Sequence, residues 1–336
     1  MKRLKSFLTT VVKLTVAVAI LFIVMRQVDF DVLRKSACSV WLIPAMFFYL
    51  LHMLSCGWRW QVLAKAGGVH ISLAEAFSLT MQGFFFSLVI PGGAIGGDVV
   101  KMGLIARQSD PGRRTDGVFS VLVDRVAGMV GLFLLALILV VCRWELLGRV
   151  SVPGVNSFSG SKHFIPLVVV LVSAGGIIAG GVMFCWRSFE KVRLFYTVFR
   201  WIDRHSGNLI SRLENAVDAY RDHWLEFLLL VLFSVVFVHL GTVFCFGFLL
   251  TSFGMEFDFI TVATAVTVGN IAGIIPLFPG GIGARDVTVL AVLGAAGMPD
   301  CAEAQFMFTV LAVFFSLTGG LFFIFDPGRK NIHIGS

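Results

Sequence analysis

Charge is scarce in this chain. Only 14% of its 336 residues are Asp, Glu, Lys or Arg, where an ordinary soluble domain has about 25%. That shortage leaves too little polar surface for a soluble enzyme, a nucleic-acid binder or a secreted disulfide scaffold. Cysteine is sparse as well. Its six residues, Cys38, Cys56, Cys142, Cys185, Cys245 and Cys301, are scattered without a C-x-x-C pair, so neither a metal site nor a redox pair is indicated. The seven histidines include no two at ligand spacing, and no nucleophile–base pair or Walker-type phosphate loop occurs. The expectation is a protein that is not an enzyme and carries no metal or cofactor.

What the chain has in abundance is apolar sequence, at 57% of its residues, arranged in long uninterrupted runs. A spanning helix needs about 20 mostly apolar residues. Runs at 7–25, 41–58, 117–142, 164–186, 224–251 and 305–325 meet that need. Two more, 73–90 and 259–278, each end in Pro-Gly-Gly, and 287–298 is too short to span alone. The fold class expected is therefore an all-α polytopic membrane protein of six to eight transmembrane helices, with the two Pro-Gly-Gly segments as broken or re-entrant elements. The basic N-terminus followed by an apolar run reads as a retained first helix, because no small-residue cleavage site follows it. Trp41, Trp58, Trp60, Trp144, Trp186 and Trp224 fall at or near the proposed helix ends, where an aromatic belt belongs.

The net charge of +7 fits loops that face anionic lipid rather than nucleic acid. With 73–100 dipping in and returning to its own side, the proposed cytoplasmic segments hold 18 Lys and Arg against 6 on the opposite side. Both termini are thus expected in the cytoplasm, with the protein in the cell inner membrane. The chain reads as one integral membrane domain, 1–336. Its first half is 1–186, an amphipathic cytoplasmic connector occupies 187–223, and the second half is 224–336. His52 and His239, alone in apolar runs, are expected to make helix-packing hydrogen bonds.

The two Pro-Gly-Gly segments align without gaps. Each has an Asp seven residues after its proline, Asp98 and Asp286, and a carboxamide nine before it, Gln82 and Asn270. Two related halves, as in an inverted repeat, are one reading, and two ordinary interfacial turns are the other. Proline removes a backbone donor and paired glycines permit conformations closed to other residues, so a helix arriving there should break. Gly/Pro-interrupted segments in matching places of two halves point to a transporter's central site. The candidate substrate-binding residues are Pro91, Gly92, Gly93, Asp98, Lys101, Asp124, Arg125, Asn270, Pro279, Gly280, Gly281, Arg285 and Asp286. Lys101, Arg125 and Arg285 would receive a phosphate headgroup, and Asp98, Asp124 or Asp286 would carry a coupling proton. The same six charges are equally suited to pairing with one another as inter-helix ion pairs.

Three motifs in order carry a resemblance. They are Pro91-Gly-Gly-Ala-Ile-Gly-Gly-Asp98-Val-Val-Lys101, Val121-Leu-Val-Asp124-Arg125-Val-Ala-Gly128 and Ile275-Pro-Leu-Phe-Pro279-Gly-Gly-Ile-Gly283-Ala-Arg285-Asp286, followed by the helix with Gly319-Gly320. With them the chain resembles the flippase-like integral membrane family, also named after the transmembrane domain of lysylphosphatidylglycerol synthase. The resemblance departs at two positions, where Lys101 stands for the usual Arg and Asp286 for the usual Glu. It implies translocation of an anionic phospholipid, or of a lipid-linked sugar or polyprenyl phosphate. It also implies a membrane domain without the aminoacyl-transferase that follows in fused members. The alternative expectation is a non-transporting scaffold that partners a lipid-synthesis or envelope-assembly enzyme.

Overall fold

A computed structural model describes residues 31, 39–90, 94–109, 112–150, 163–184, 220, 223–275 and 281–325. The expected first helix at 7–25 and nearly all of the connector 187–223 lie outside the described residues. So do Pro91, Gly92, Gly93, Pro279 and Gly280.

The described residues are helical, without strands. In chain order the elements are α1 (Leu42–Ala66), α2 (Leu73–Val89), α3 (Ala94–Gln108), α4 (Arg114–Cys142), the single turn α5 (Trp144–Gly148), α6 (Phe164–Phe184), α7 (Trp224–Ser252), α8 (Phe259–Gly273), α9 (Ala284–Ala295) and α10 (Ala302–Phe325). By length and composition, α4, α6, α7 and α10 are long and apolar enough to cross a membrane, and α2 and α8 are shorter apolar helices. Exposed Leu, Ile, Val and Phe stud these helices, among them Leu171, Leu229, Phe314 and Leu321. An aqueous surface would penalise them and a lipid surface would not.

Helix starts follow local chemistry. Ser72 caps α2 by accepting from Glu75 N–H, and the Glu75 carboxylate accepts from Ser72 N–H, a reciprocal box. Asp258 caps α8 through Thr261 N–H at 2.9 Å. Inside α7, Ser234–His239 forms a π-helical turn. It packs against α1 and α4, and its Val238 carbonyl accepts from Nδ1 of His52 on α1 at 3.0 Å. His239 reaches the Gly128 carbonyl of α4 at 2.9 Å. Both histidines therefore tie helices together.

The segments either side of each Pro-Gly-Gly fold back on one another. On the first, Gly83 lies against Gly97 and Lys101, while Ile90 lies against Gly96. On the second, Gly269 faces Arg285 and Val289, while Gly273 faces Gly281. In both cases later residues of the first helix meet earlier residues of the second, which defines an antiparallel hairpin. Glycine allows the close approach. A Cβ on Gly97 would sit 2.1 Å from the Gly83 carbonyl oxygen. Gly281 has φ +73° and lies against Gly273, so a side chain there would be strained and crowded.

The two hairpins are joined through α10. Gly319 packs on the Met81 carbonyl and Phe85 of α2, and Thr309 reaches Arg285 of α9. The main core runs among α1, α7, α8, α9 and α10 around Met53, Phe246, Leu250, Val266, Leu293 and Phe308. A smaller core gathers Trp60, Ala64, Ala76, Leu79, Ile105 and Val121 from α1 to α4.

Several helix bounds differ by a few residues from the sequence reading, and the largest extension is in α1. The second run, expected to end at residue 58, continues as α1 to Ala66. Trp60 consequently lies inside α1 and fully buried, not in an interfacial belt. Its indole N–H donates to Ser120 Oγ at 3.2 Å on α4, and that internal partner makes the burial tolerable. Trp41 and Trp224 do stand exposed at helix starts.

Candidate functional site

The charged residues singled out by sequence fall into two groups. The first gathers at the crossing of α1, α3 and α4. Asp124, ten residues into α4, is buried, and its Oδ1 accepts from Nε of Arg59 at 2.7 Å. Lys101 of α3 lies 3.7 Å from the other carboxylate oxygen. Its ammonium donates to Thr80 Oγ1 of α2 at 3.2 Å and sits 3.7 Å from the centre of the Trp60 ring, a cation–π placement. Arg59 also donates from Nη1 to Ser234 Oγ at 2.9 Å, in the π turn of α7. One helical turn before Lys101, Asp98 pairs with Arg125 of α4 at 2.5 Å. That second pair is half-exposed, with side-chain exposures of 26% and 39%.

Arg59 was missed by sequence reasoning. Flanked by Trp58 and Trp60 at the end of an apolar run, it reads as an interfacial residue. The signal that could have found it is the motif Asp124-Arg125-Val-Ala-Gly128. A Cβ on Gly128 would meet the Arg59 guanidinium at 3.0 Å, so the glycine one turn after Asp124 makes room for a long cation from another helix.

The second group lies at the start of α9. Asp286 is buried and fully engaged. Its Oδ2 accepts from Gly283 N–H at 2.9 Å, which caps the helix. Its Oδ1 accepts from Gln305 Nε2 at 2.7 Å, Thr309 Oγ1 at 3.0 Å and Arg285 Nε at 3.2 Å. Arg285 also donates from Nη2 to Thr309 and lies 4.9 Å from the centre of the Phe308 ring. Asn270 is half-buried near the end of α8, and Gly281 is buried at the hairpin turn. The two groups are bridged along α1, where Tyr49 stacks on Phe315 and meets Phe308 edge-on. Ten residues further along, about 15 Å at the helical rise, stands Arg59.

The matching aspartates therefore do different work. Asp98 pairs with an arginine of another helix, whereas Asp286 caps its own helix and also accepts from Gln305 and Thr309 of α10. Among the described residues no group of three His, Cys, Asp or Glu could hold a metal ion.

At the other end of α4, about 28 Å from Asp124 at 1.5 Å per residue, an open cleft of about 800 Å³ is lined by residues including Arg143, Trp144, Glu145, Arg149, Thr261 and Gly297. Arg143 pairs there with Asp258. The side-chain and backbone hydrogen bonds from Thr261, helped by Arg143, hold the Asp258 carboxyl below the usual carboxylate range.

Long apolar helices with exposed Leu, Ile and Phe, and buried charge between them, define an α-helical membrane protein. The chain belongs to the family of the lysylphosphatidylglycerol synthase transmembrane region, whose model matches residues 10–324. It is also similar to a UPF0104 membrane protein of Methanothermobacter thermautotrophicus. The two are 22% identical over 316 residues, covering 90% of this chain and 89% of that protein.

Proposed function

We propose that this protein moves an anionic lipid headgroup across the cell inner membrane, without chemistry on the lipid and with both termini in the cytoplasm. The observation that supports this most is the cluster of five charged residues, Arg59, Asp98, Lys101, Asp124 and Arg125, at the α3–α4 seam. Ionisable groups inside a membrane domain are costly and mark substrate pathways.

Helix lengths support the same reading. The hairpin arms α2, α3, α8 and α9 have 17, 15, 15 and 12 residues, or about 26, 22, 22 and 18 Å at 1.5 Å each. A hydrocarbon core of about 30 Å is longer than any of them. Each hairpin would enter and return on one side, carrying its Pro-Gly-Gly turn to membrane depth, where broken backbone is tolerated only in a protein-lined or wet path. In this scheme the headgroup passes the charged seam and leaves by the cleft at Arg143, while the acyl chains remain in lipid. Rocking of the two hairpins about α1 and α10 would expose the path alternately. With no nucleotide loop in the sequence, uphill movement would draw on an ion gradient or a partner.

The test is leaflet exchange in proteoliposomes with fluorescent phosphatidylglycerol and phosphatidylethanolamine, comparing wild type with Arg125→Gln and Arg285→Gln. Protein-dependent exchange that either substitution lowers is expected. No exchange of either lipid, with or without a proton gradient, removes the reading. A lipid-synthesis enzyme co-purifying in stoichiometric amount would then favour a scaffold.

A further inference from the structure

The charged seam is not balanced. Arg59, Lys101 and Asp124 are 5%, 5% and 8% exposed, so two buried cations share one buried carboxylate. The neighbouring Asp98–Arg125 pair is neutral within itself. Among the described residues, the five charged groups facing one another here, with Lys101 taken as ammonium, leave one positive charge over. The excess falls on Lys101 by geometry. Arg59 holds Asp124 at 2.7 Å, but the Lys101 ammonium is 3.7 Å away from it, beyond hydrogen-bonding distance, and makes its one hydrogen bond to the neutral Thr80 hydroxyl. In a low-dielectric interior an uncompensated charge is strongly disfavoured.

We infer that Lys101 is the seat for a single negative charge of the transported headgroup, and that the substrate class is a phosphodiester lipid carrying one net negative charge. This rests on the lipid-translocation reading above and adds to it which headgroups are accepted. A phosphodiester brings one charge and neutralises the seam. A phosphomonoester above its second ionisation, about pH 6, brings close to two and overshoots. A zwitterionic headgroup carries its own ammonium into a site that already has a cation too many.

The path and the residue type fit that role. The Asp98 and Arg125 side chains are 26% and 39% exposed against 6% and 12% for Lys101 and Asp124, so the half-exposed pair is the outer of the two. An entering phosphate meets Arg125 before Lys101. Lysine presents a compact charge with three rotatable donors on a flexible stem. It can exchange the Thr80 hydroxyl for a phosphate oxygen without releasing Asp124 from Arg59. The stem lies along Gly83, with its Cδ at ordinary van der Waals distance, 3.8 Å, from where a Cβ there would stand.

The experiment is competitive leaflet exchange in proteoliposomes at about pH 8, above that second ionisation. It uses fluorescent phosphatidylglycerol, phosphatidylethanolamine and phosphatidic acid with wild type, Lys101→Gln and Lys101→Arg. Wild type should move phosphatidylglycerol about tenfold or more faster than either other lipid, a ratio that one hydrogen bond to a charged group can sustain. Lys101→Gln should bring that ratio towards one, and Lys101→Arg should keep a preference for phosphatidylglycerol over phosphatidylethanolamine. A wild type that prefers phosphatidic acid, or that moves all three lipids alike, overturns this inference while leaving translocation standing. Retention of the full ratio in Lys101→Gln overturns it as well. A wild type that moves nothing removes the translocation reading and this one with it. Should Lys101→Gln fail to fold, the wild-type preference between one and two negative charges decides the matter alone.

Discussion

Arg59 and Asp124 stand 65 residues apart in the chain and meet at 2.7 Å between α1 and α4, both buried. Their bond is the fixed half of an unequal arrangement, because Lys101 faces the same carboxylate without a hydrogen bond to it.

Removing the carboxylate should therefore cost more than removing the arginine. Asp124→Asn leaves two buried cations without a counter-charge, and breaking a buried pair in this way costs about 3–5 kcal/mol. Arg59→Met leaves Asp124 with Lys101, one charge of each sign. Thermal unfolding in detergent should show the larger loss for Asp124→Asn. Equal losses would mean that Lys101 does not share the carboxylate.

The glycine at the first hairpin's contact admits no side chain. Gly97→Ala places a methyl 2.1 Å from the Gly83 carbonyl oxygen, and Gly319→Ala places one 2.0 Å from that of Met81. Each should destabilise by about 1–3 kcal/mol or more through overpacking. Gly103→Ala and Gly294→Ala meet nothing within 4 Å and should melt as wild type or slightly higher, since Ala favours helix. A Gly97→Ala protein as stable as the Gly103→Ala control would contradict the packing of α2 on α3.

Asp286 offers acceptors to four donors, so an amide in its place must turn an N–H₂ towards at least one of them. Asp286→Asn should cost about 1–3 kcal/mol, the price of a buried unsatisfied group, and loosen α9 first. Hydrogen exchange of the α9 amides should rise in the variant. Unchanged protection would show that the network does not hold the helix start.

Asp258 gives a sign for pH. Its carboxyl is held below the ordinary value of about 3.9 by Thr261 and Arg143. A group with a depressed folded value contributes stability above its unfolded value, and that contribution disappears as pH falls through the folded one. The gap in melting temperature between wild type and Asp258→Ala should be constant near neutral pH and should narrow below about pH 4. A gap that persists unchanged at lower pH would assign the effect to something other than the carboxylate.

The legibility of the site was uneven, for physical reasons. Asp98, Asp124, Arg125 and Asp286 could be found because an ionisable residue stands out in an apolar run, and because two similar segments could be laid over one another. Arg59 could not. Two tryptophans beside it imitate an interfacial belt, and its partner is far away in sequence. Matching positions also concealed unlike roles. The fourth residue beyond Gly97 is Lys101, whereas the fourth beyond Arg285 is Val289, so only the first hairpin carries an extra cation into the seam.

The sequence by itself determined the solvent and the class of fold. Hydrophobic runs and scarce charge dictate lipid-facing helices, since each spanning segment must satisfy its own backbone hydrogen bonds whatever surrounds it. It also placed helix ends close to each Pro-Gly-Gly, with α2 ending at Val89 and α8 at Gly273, because proline and glycine act on their own backbone. Only the tertiary structure decided which charge meets which. A side chain's partner depends on how helices are packed, and that packing brings Arg59 and Lys101 to one carboxylate and sets Gln305 and Thr309 of α10 on another, that of Asp286.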